Sequence, residues 1–213
     1  MKSTRFCLVR HGETTWNAEK RIQGQIDIGL NAAGLAQADA AATWLATREP
    51  IDALYSSDLL RARQTAERIA ARLNLVLRFR SEFRERRYGF FEGLTYDESR
   101  QRYPADYHAF ETRDPGFAIP FGGESLEQLS ERVIAGLRDL SVAHGGQTIV
   151  VVTHGGVLDI VNRLARGNSL SQPRDFVIPN AGINWIRVSD ESWTLEQWGQ
   201  TGHLTRSGMD ELP

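Results

Sequence analysis

Short apolar runs alternating with stretches of helical periodicity constrain this chain more than any other feature. Residues 5–9, 51–55, 75–79 and 148–153 have the length and content of buried strands. Helical spacing occupies 32–47, 59–73, a stretch from Glu124 or Ser125 to about 143, and 157–166. Asn31 is placed to cap the first helix, Asp58 or Ser57 the second, and Asn74 to end the second in a left-handed turn. Alternation of this kind builds βαβ crossovers, hence an α/β fold with a mainly parallel central sheet and helices on both faces. Residues 182–188 and 193–198 close the pattern as two further strands. No repeat or linker divides the chain, so one domain is expected over residues 1–213.

Residues 80–123 break the rhythm. They hold Arg84-Glu85-Arg86-Arg87, several aromatic residues, prolines and Gly122-Gly123, with helical fragments near 95–102 and 104–112. A segment that long between regular elements is read as a partly helical cap inserted over a site. The polar tail, 201–213, is expected to be loosely held.

Composition removes several classes. No apolar run approaches the ~20 residues of a membrane span. The first residues lead straight into a strand without a signal-peptide core. One cysteine, Cys7, excludes an internal disulfide and a cysteine zinc site. A cytoplasmic setting follows as the expectation. The formal net charge of −2 argues against a nucleic-acid partner and leaves a small molecule. Two of the 25 basic residues, Lys2 and Lys20, are lysines; the rest are arginines, whose planar fork suits bidentate phosphate contacts.

Two strand candidates end alike: the first in Arg10-His11-Gly12, the fourth in Thr153-His154-Gly155. In open α/β sheets ligands bind outside the carboxyl ends of the strands. If both strands are parallel and central, two histidines meet at one edge, each beside a glycine that lets a ligand approach. Arg10 beside His11 favours an anion over a metal ion, so no metal is expected. Arg61, in the first turn of the helix after the second strand, falls at the same edge near a helix N-terminus. An imidazole can attack phosphorus and form a phosphohistidine, while arginines and a protonated histidine stabilise the charge on the transferring group. The leaving oxygen needs a proton donor. Glu85 is a candidate, although the residues alone do not separate it from Glu82 or Glu92. Glu13 is read as holding the loop, His108, His144 and His203 as surface histidines, and Arg63 and Arg68 as solvated. Trp185, Trp193 and Trp198 are read as sheet core, whereas Phe90, Phe91, Tyr96 and Tyr103 fit either core or pocket.

Residues 8–17, Leu-Val-Arg-His-Gly-Glu-Thr-Thr-Trp-Asn, resemble the signature of the histidine phosphatase superfamily, also called the phosphoglycerate mutase-like family. The likeness continues through Arg21-Ile22-Gln23-Gly24-Gln25, Ser57 to Ala62 with Thr65, Glu85 with Tyr88-Gly89 and Glu92-Gly93, Gly122 to Ser125, and Val152 to Gly156. It implies His11 as the phosphorylated nucleophile, and Arg10, Arg61 and His154 as the rest of the phosphate pocket. It further implies Glu85 as the acid and then the base, and Asn17, Gln23, Gly24, Arg86, Tyr88 and Gly155 as substrate contacts. No metal or nucleotide cofactor is implied. Glu85-Arg86-Arg87-Tyr88-Gly89 partly matches the mutase acid motif, whereas the short stretch from Gly93 to Gly122 favours hydrolysis. The expected function is therefore a metal-independent phosphatase of a small phosphorylated metabolite. The rivals are a mutase primed by 2,3-bisphosphoglycerate and a non-catalytic phospholigand-binding domain. An edge strand leaves room for a homodimer, though no motif compels one.

Overall fold

The computed structural model describes residues 2–48, 50–189 and 192–204. Its six-stranded sheet has the order β3-β2-β4-β1-β5-β6. The strands are β1 (Thr4–Arg10), β2 (Ala53–Ser56), β3 (Leu77–Phe79), β4 (Thr148–Thr153), β5 (Ile183–Val188) and β6 (Trp193–Gln200). The first four in chain order run parallel, while β5 and β6 pair antiparallel at one edge.

Side chains alternate across the sheet with period two. Phe6 and Leu8 of β1, with Ile149 and Val151 of β4, join a core with α6 (Leu126–Ala143) and α7 (Gly155–Arg166). Cys7, Val9, Val150 and Val152 face the other way, toward α2 (Ala32–Ala46) and α3 (Leu60–Leu73). Each buried aliphatic side chain contributes about 1.5–3 kcal/mol relative to exposure, so both faces are firmly covered. Register then fixes the site: Arg10 pairs with Thr153, so His11 and His154 leave neighbouring strands at the same level.

The helix starts carry instructive differences from the sequence expectation. Asn31 caps α2 and Ser125 caps α6, each through its side chain. Neither Ser57 nor Asp58 caps α3 as expected; the cap residue is Leu59, without a side-chain bond. Arg84 holds the Asp58 carboxylate, and the Leu60 N–H donates instead to Asp27 Oδ1 at 2.6 Å. Strand β3 starts at Leu77 rather than 75 because the Leu75 N–H closes onto Ala70 O in the helix terminus. Helix α7 starts at Gly155, two residues before its expected start.

The loop after β1 contains the single turn α1 (Thr15–Ala18), closed by a Thr14–Asn17 capping box. Gly34 of α2 packs on this loop so closely that a Cβ there would lie 2.0 Å from Glu13 O, and one at Gly12 would lie 2.4 Å from Gly34 O. Gly34→Ala raises helix propensity by about 1 kcal/mol, yet overpacking against rigid backbone costs up to about 3 kcal/mol. The variant is therefore expected to be net less stable in chemical denaturation; a gain in stability would remove this contact from the account.

The insertion forms a cap: 3₁₀ turns at Ser81–Phe83 and Gly89–Phe91, α4 (Tyr96–Arg102) and α5 (Pro104–Glu111). Ile22, Tyr88, Phe91, Tyr107, Phe110 and Ile119 make its core, which settles Phe91 as packing. Within the tail, residues 201–204 are held: His203 meets Ala181 O at 3.0 Å and the Trp44 ring. Residues 205–213 lie outside the described residues. Among the described residues no helix is long and apolar enough to cross a membrane.

Candidate active site

A pocket of about 370 Å³ opens at the carboxyl ends of β1 and β2, lined by Arg10, His11, Asn17, Gln23, Arg61 and Glu85 among others. His11 is buried at the end of β1, its backbone N–H on Thr153 O at 2.9 Å. Its carbonyl accepts from the Ala181 N–H at 3.1 Å and from Asn180 Nδ2 at 3.2 Å. Imidazole Nδ1 lies 2.7 Å from Gly12 O, an acceptor only, so Nδ1 carries the proton and Nε2 keeps its lone pair. Burial, then Arg61 and Arg10, hold the His11 pKa well below its ordinary value. The ring is neutral at pH 7, as a nucleophile must be.

Two guanidinium groups give the pocket its sign. Arg10 is buried and donates through Nη1 to Ile178 O at 2.5 Å. Arg61 is almost wholly buried in the first turn of α3. Its Nη2 donates to Gly24 O at 2.7 Å and its Nη1 to Ile26 O at 3.0 Å, while buried Nε has no partner among the described residues. Burial lowers the Arg61 pKa to about 10, which leaves it cationic at pH 7. Gly24 has φ +53°, and a Cβ there would lie 1.9 Å from Glu92 Oε1, so the loop that presents its carbonyl to Arg61 requires glycine.

Glu85 is buried and enters from the cap. Oε1 accepts the Arg86 N–H at 2.7 Å and the Gly156 N–H at 3.1 Å, and Oε2 lies 3.0 Å from the same Gly156 nitrogen. A Cβ on Gly156 would lie 2.2 Å from Oε1, so the carboxylate sits there only because residue 156 has no side chain. The other acids are committed elsewhere. Glu92 Oε1 accepts from the Gln25 and Tyr88 backbone N–H groups, and Glu82 pairs with Arg80. Glu13 accepts from Asn31 Nδ2 at 2.8 Å, the loop-holding role expected of it.

His154 stands with its ring centroid 5.1 Å from that of His11. Burial, then Arg61, His11, Arg132 and Arg10, hold its pKa well below the ordinary value. The expectation of a protonated second histidine is corrected: in this cationic, desolvated corner the ring is neutral. Its Nε2 lies 2.8 Å from Ser57 Oγ, a contact that sequence reading missed because Ser57 was taken for a helix cap.

Asn17, Gln23, Gly24 and Tyr88 line the pocket as expected, and Arg21, Ile22 and Tyr96 join them. Arg86 is not among the residues lining it. Its Nε donates to Glu124 O at 2.9 Å, and it lines an adjoining cavity of about 420 Å³ with Tyr88, Phe110, Arg113, Gly156 and Asp159. Gly155 lines neither cavity; it opens α7, and its neighbour Gly156 receives Glu85. His144 is not the free surface group expected: it lies 2.8 Å from Tyr55 Oη and 2.5 Å from Gln147 Oε1. His203 is half-buried, as described above, whereas His108 is exposed. Among the described residues no group of three His, Cys, Asp or Glu side chains could hold a metal ion.

Residues 6–201 match the family model of the histidine phosphatase superfamily (branch 1). The chain is 41% identical to phosphoglycerate mutase-like protein 4 of Arabidopsis thaliana, covering 95% of this chain and 87% of that protein. It is 39% identical to a metal-independent phosphoserine phosphatase of the same plant, covering 97% and 85%. Among solved structures, a histidine-to-alanine mutant of Entamoeba histolytica phosphoserine phosphatase in complex with phosphoserine superposes with a TM-score of 0.85. That pair shares 29% identity over 94% of this chain and 99% of the other.

Proposed function

The chain belongs to the histidine phosphatase superfamily, and from that premise we propose that it hydrolyses small phosphomonoesters through a phosphohistidine at His11. The observation that carries the reading is the pairing of tautomer and acid. His11 Nδ1 is tied to Gly12 O, so Nε2 bears the lone pair, and Glu85 lines the same pocket. Nε2 attacks phosphorus, the P–O bond to the leaving group breaks, and Glu85 gives that oxygen its proton. Water then attacks the phosphohistidine, Glu85 takes its proton, and the P–N bond breaks to release phosphate. Arg10, Arg61 and His154 hold the equatorial oxygens, with Asn17, Gln23 and Gly24 beside them. No metal is needed: two guanidinium groups would repel a cation, and the charge it would offset is already met.

Phosphoserine and other phosphate monoesters of short hydroxy acids are the favoured substrates. The adjoining cavity places Arg86 and Arg113 on the far side of Tyr88 and Gly156, with one facing carboxylate, Asp159, that already pairs with Arg113 and Arg163. That excess of positive charge suits a leaving group that carries a carboxylate and does nothing for a neutral sugar. Buried Cys7 and the absence of a basic field fit a cytoplasmic enzyme acting on metabolites, as one domain capped by residues 80–123. The test is phosphate release in EDTA from phosphoserine, 3-phosphoglycerate, a neutral sugar phosphate and p-nitrophenyl phosphate. Carboxylated esters should give kcat/KM at least about tenfold above the sugar phosphate, the scale of one modest binding difference. Isomerisation of phosphoglycerate primed by 2,3-bisphosphoglycerate, with little release, would make the protein a mutase instead. Tight phosphate binding with neither reaction would make it a binding domain.

A further inference from the structure

We propose that Ser57 is a positioning residue that holds His154 as the neutral Nδ1–H tautomer, making this imidazole a fixed hydrogen-bond donor to the transferring phosphoryl group. The inference rests on the phosphatase reading and goes beyond it, since nothing in that reading assigns Ser57 a part or says which nitrogen of His154 carries the proton.

The argument is a count of protons and lone pairs. Ser57 is wholly buried between β2 and α3. A hydroxyl has one proton and two lone pairs. The Leu59 N–H points at Ser57 Oγ at 3.3 Å and occupies one lone pair. Its other hydrogen-bonding neighbour among the described residues is His154 Nε2 at 2.8 Å. If Nε2 carried the proton, it would donate to the second lone pair, and the buried serine proton would have no acceptor among the described residues. If the serine donates, every group is used: Oγ–H goes to Nε2, and the imidazole proton is forced onto Nδ1.

That leaves a buried Nδ1–H without a protein partner among the described residues. The groups around it come from three elements: His11 and Arg10 at the end of β1, Arg61 on α3, and Arg132 on α6. None of them can accept a hydrogen bond from Nδ1 in its present role: the arginines have no lone pair to offer, and His11 Nε2 is the nucleophile. His154 is fully buried and not itself among the pocket-lining residues, but its ring stands 5.1 Å from that of His11. The acceptor this proposal assigns to Nδ1–H is an oxygen of the phosphoryl group held by His11. The two histidines are thus complementary. Each carries its proton on Nδ1, but His11 offers Nε2 as a lone pair and His154 offers Nδ1–H as a donor. An imidazolium at His154 would add a third positive charge beside two arginines; a neutral donor stabilises the equatorial oxygens without that repulsion.

The experiment is ¹⁵N–¹H correlation of the histidine side chains in the whole, ¹⁵N-labelled protein near pH 7.5, with His154 assigned by its absence from His154→Gln. The proposal expects Nδ1 in the protonated, pyrrole-like range and Nε2 in the unprotonated, pyridine-like range. Ser57→Ala should move proton density to Nε2 and lower kcat for phosphoserine about 10–100-fold with KM within a factor of three, as for a donor lost chiefly in the transition state. An Nε2–H tautomer or an imidazolium in the wild type would overturn the proposal, and that spectrum decides even if the variant does not fold. A variant that keeps the Nδ1–H tautomer would remove Ser57 from the role; one that loses it with kcat unchanged would remove the donor. Failure of the phosphatase reading looks different: no ester is hydrolysed by the wild type, whatever the spectrum shows.

Discussion

Replacing His11 with alanine is expected to abolish phosphate release, by about 10⁴-fold or more, and to leave a folded protein. The size of the effect follows from the kind of step removed. Without Nε2 there is no covalent path, and the catalysis that remains comes from the residual phosphate-binding groups, with Glu85 placed for the leaving oxygen rather than for a water attacking the bound ester directly. The fold survives because the bonds that pin residue 11 belong to its backbone: the N–H on Thr153 O and the carbonyl under Ala181 and Asn180. The side chain contributes one bond, Nδ1 to Gly12 O, and its removal takes a desolvated imidazole away from two guanidinium groups. Rapid quenching of the wild type with ³²P-labelled substrate should trap a label that is stable to base and lost in acid. The variant should show no label and an unchanged circular dichroism spectrum. A folded His11→Ala protein that still turns over, or still takes up label, would move the nucleophile elsewhere.

The histidine pair was legible in the sequence because it needs only two local facts and one rule. Residues 5–9 and 148–153 read as strands, each stops at a histidine, and parallel neighbours in an α/β sheet present their carboxyl ends together. The register of Arg10 with Thr153 then brings the rings to 5.1 Å. Arg61 was legible for the same reason, as a first-turn residue at that edge. What stayed hidden depends on contacts between segments far apart in the chain. Asp27 takes over the cap of α3 across 33 positions, which frees Ser57 for His154 across 97. Three nearby glutamates look alike in sequence and differ only in which distant N–H groups they meet: Gly156 for Glu85, Gln25 for Glu92, and none for Glu82, whose carboxylate pairs with Arg80. Arg86 was drawn to the pocket by its motif, but its guanidinium is spent on Glu124 O behind the Tyr88 ring. The family resemblance supplied Glu85; the absent Cβ of Gly156 supplies the reason its carboxylate fits where it does.

That absent Cβ makes the acid testable in two independent ways. Glu85→Gln keeps the shape and the bond from the Arg86 N–H, but an amide has no proton to give to an alkoxide. Turnover of phosphoserine, whose leaving oxygen is a poor one, is expected to fall about 10²–10⁴-fold. A nitrophenolate needs almost no protonation to depart, so the burst of p-nitrophenol in the first turnover should keep its rate within about tenfold. Its steady state should nevertheless slow, because the same carboxylate must later activate water, and phosphohistidine should accumulate behind the burst. Gly156→Ala reaches this result by geometry alone. The new methyl would lie 2.2 Å from Oε1 and 3.5 Å from Tyr88 Oη, so the carboxylate must swing off the Gly156 N–H while every other residue of the pocket stays in place. If the acid acts from this position, Gly156→Ala should reproduce the split between the two substrates in milder form. Equal slowing of both bursts in Glu85→Gln would take the acid role from Glu85. A full effect in Glu85→Gln with none in Gly156→Ala would mean that the carboxylate works from some position other than its seat on α7.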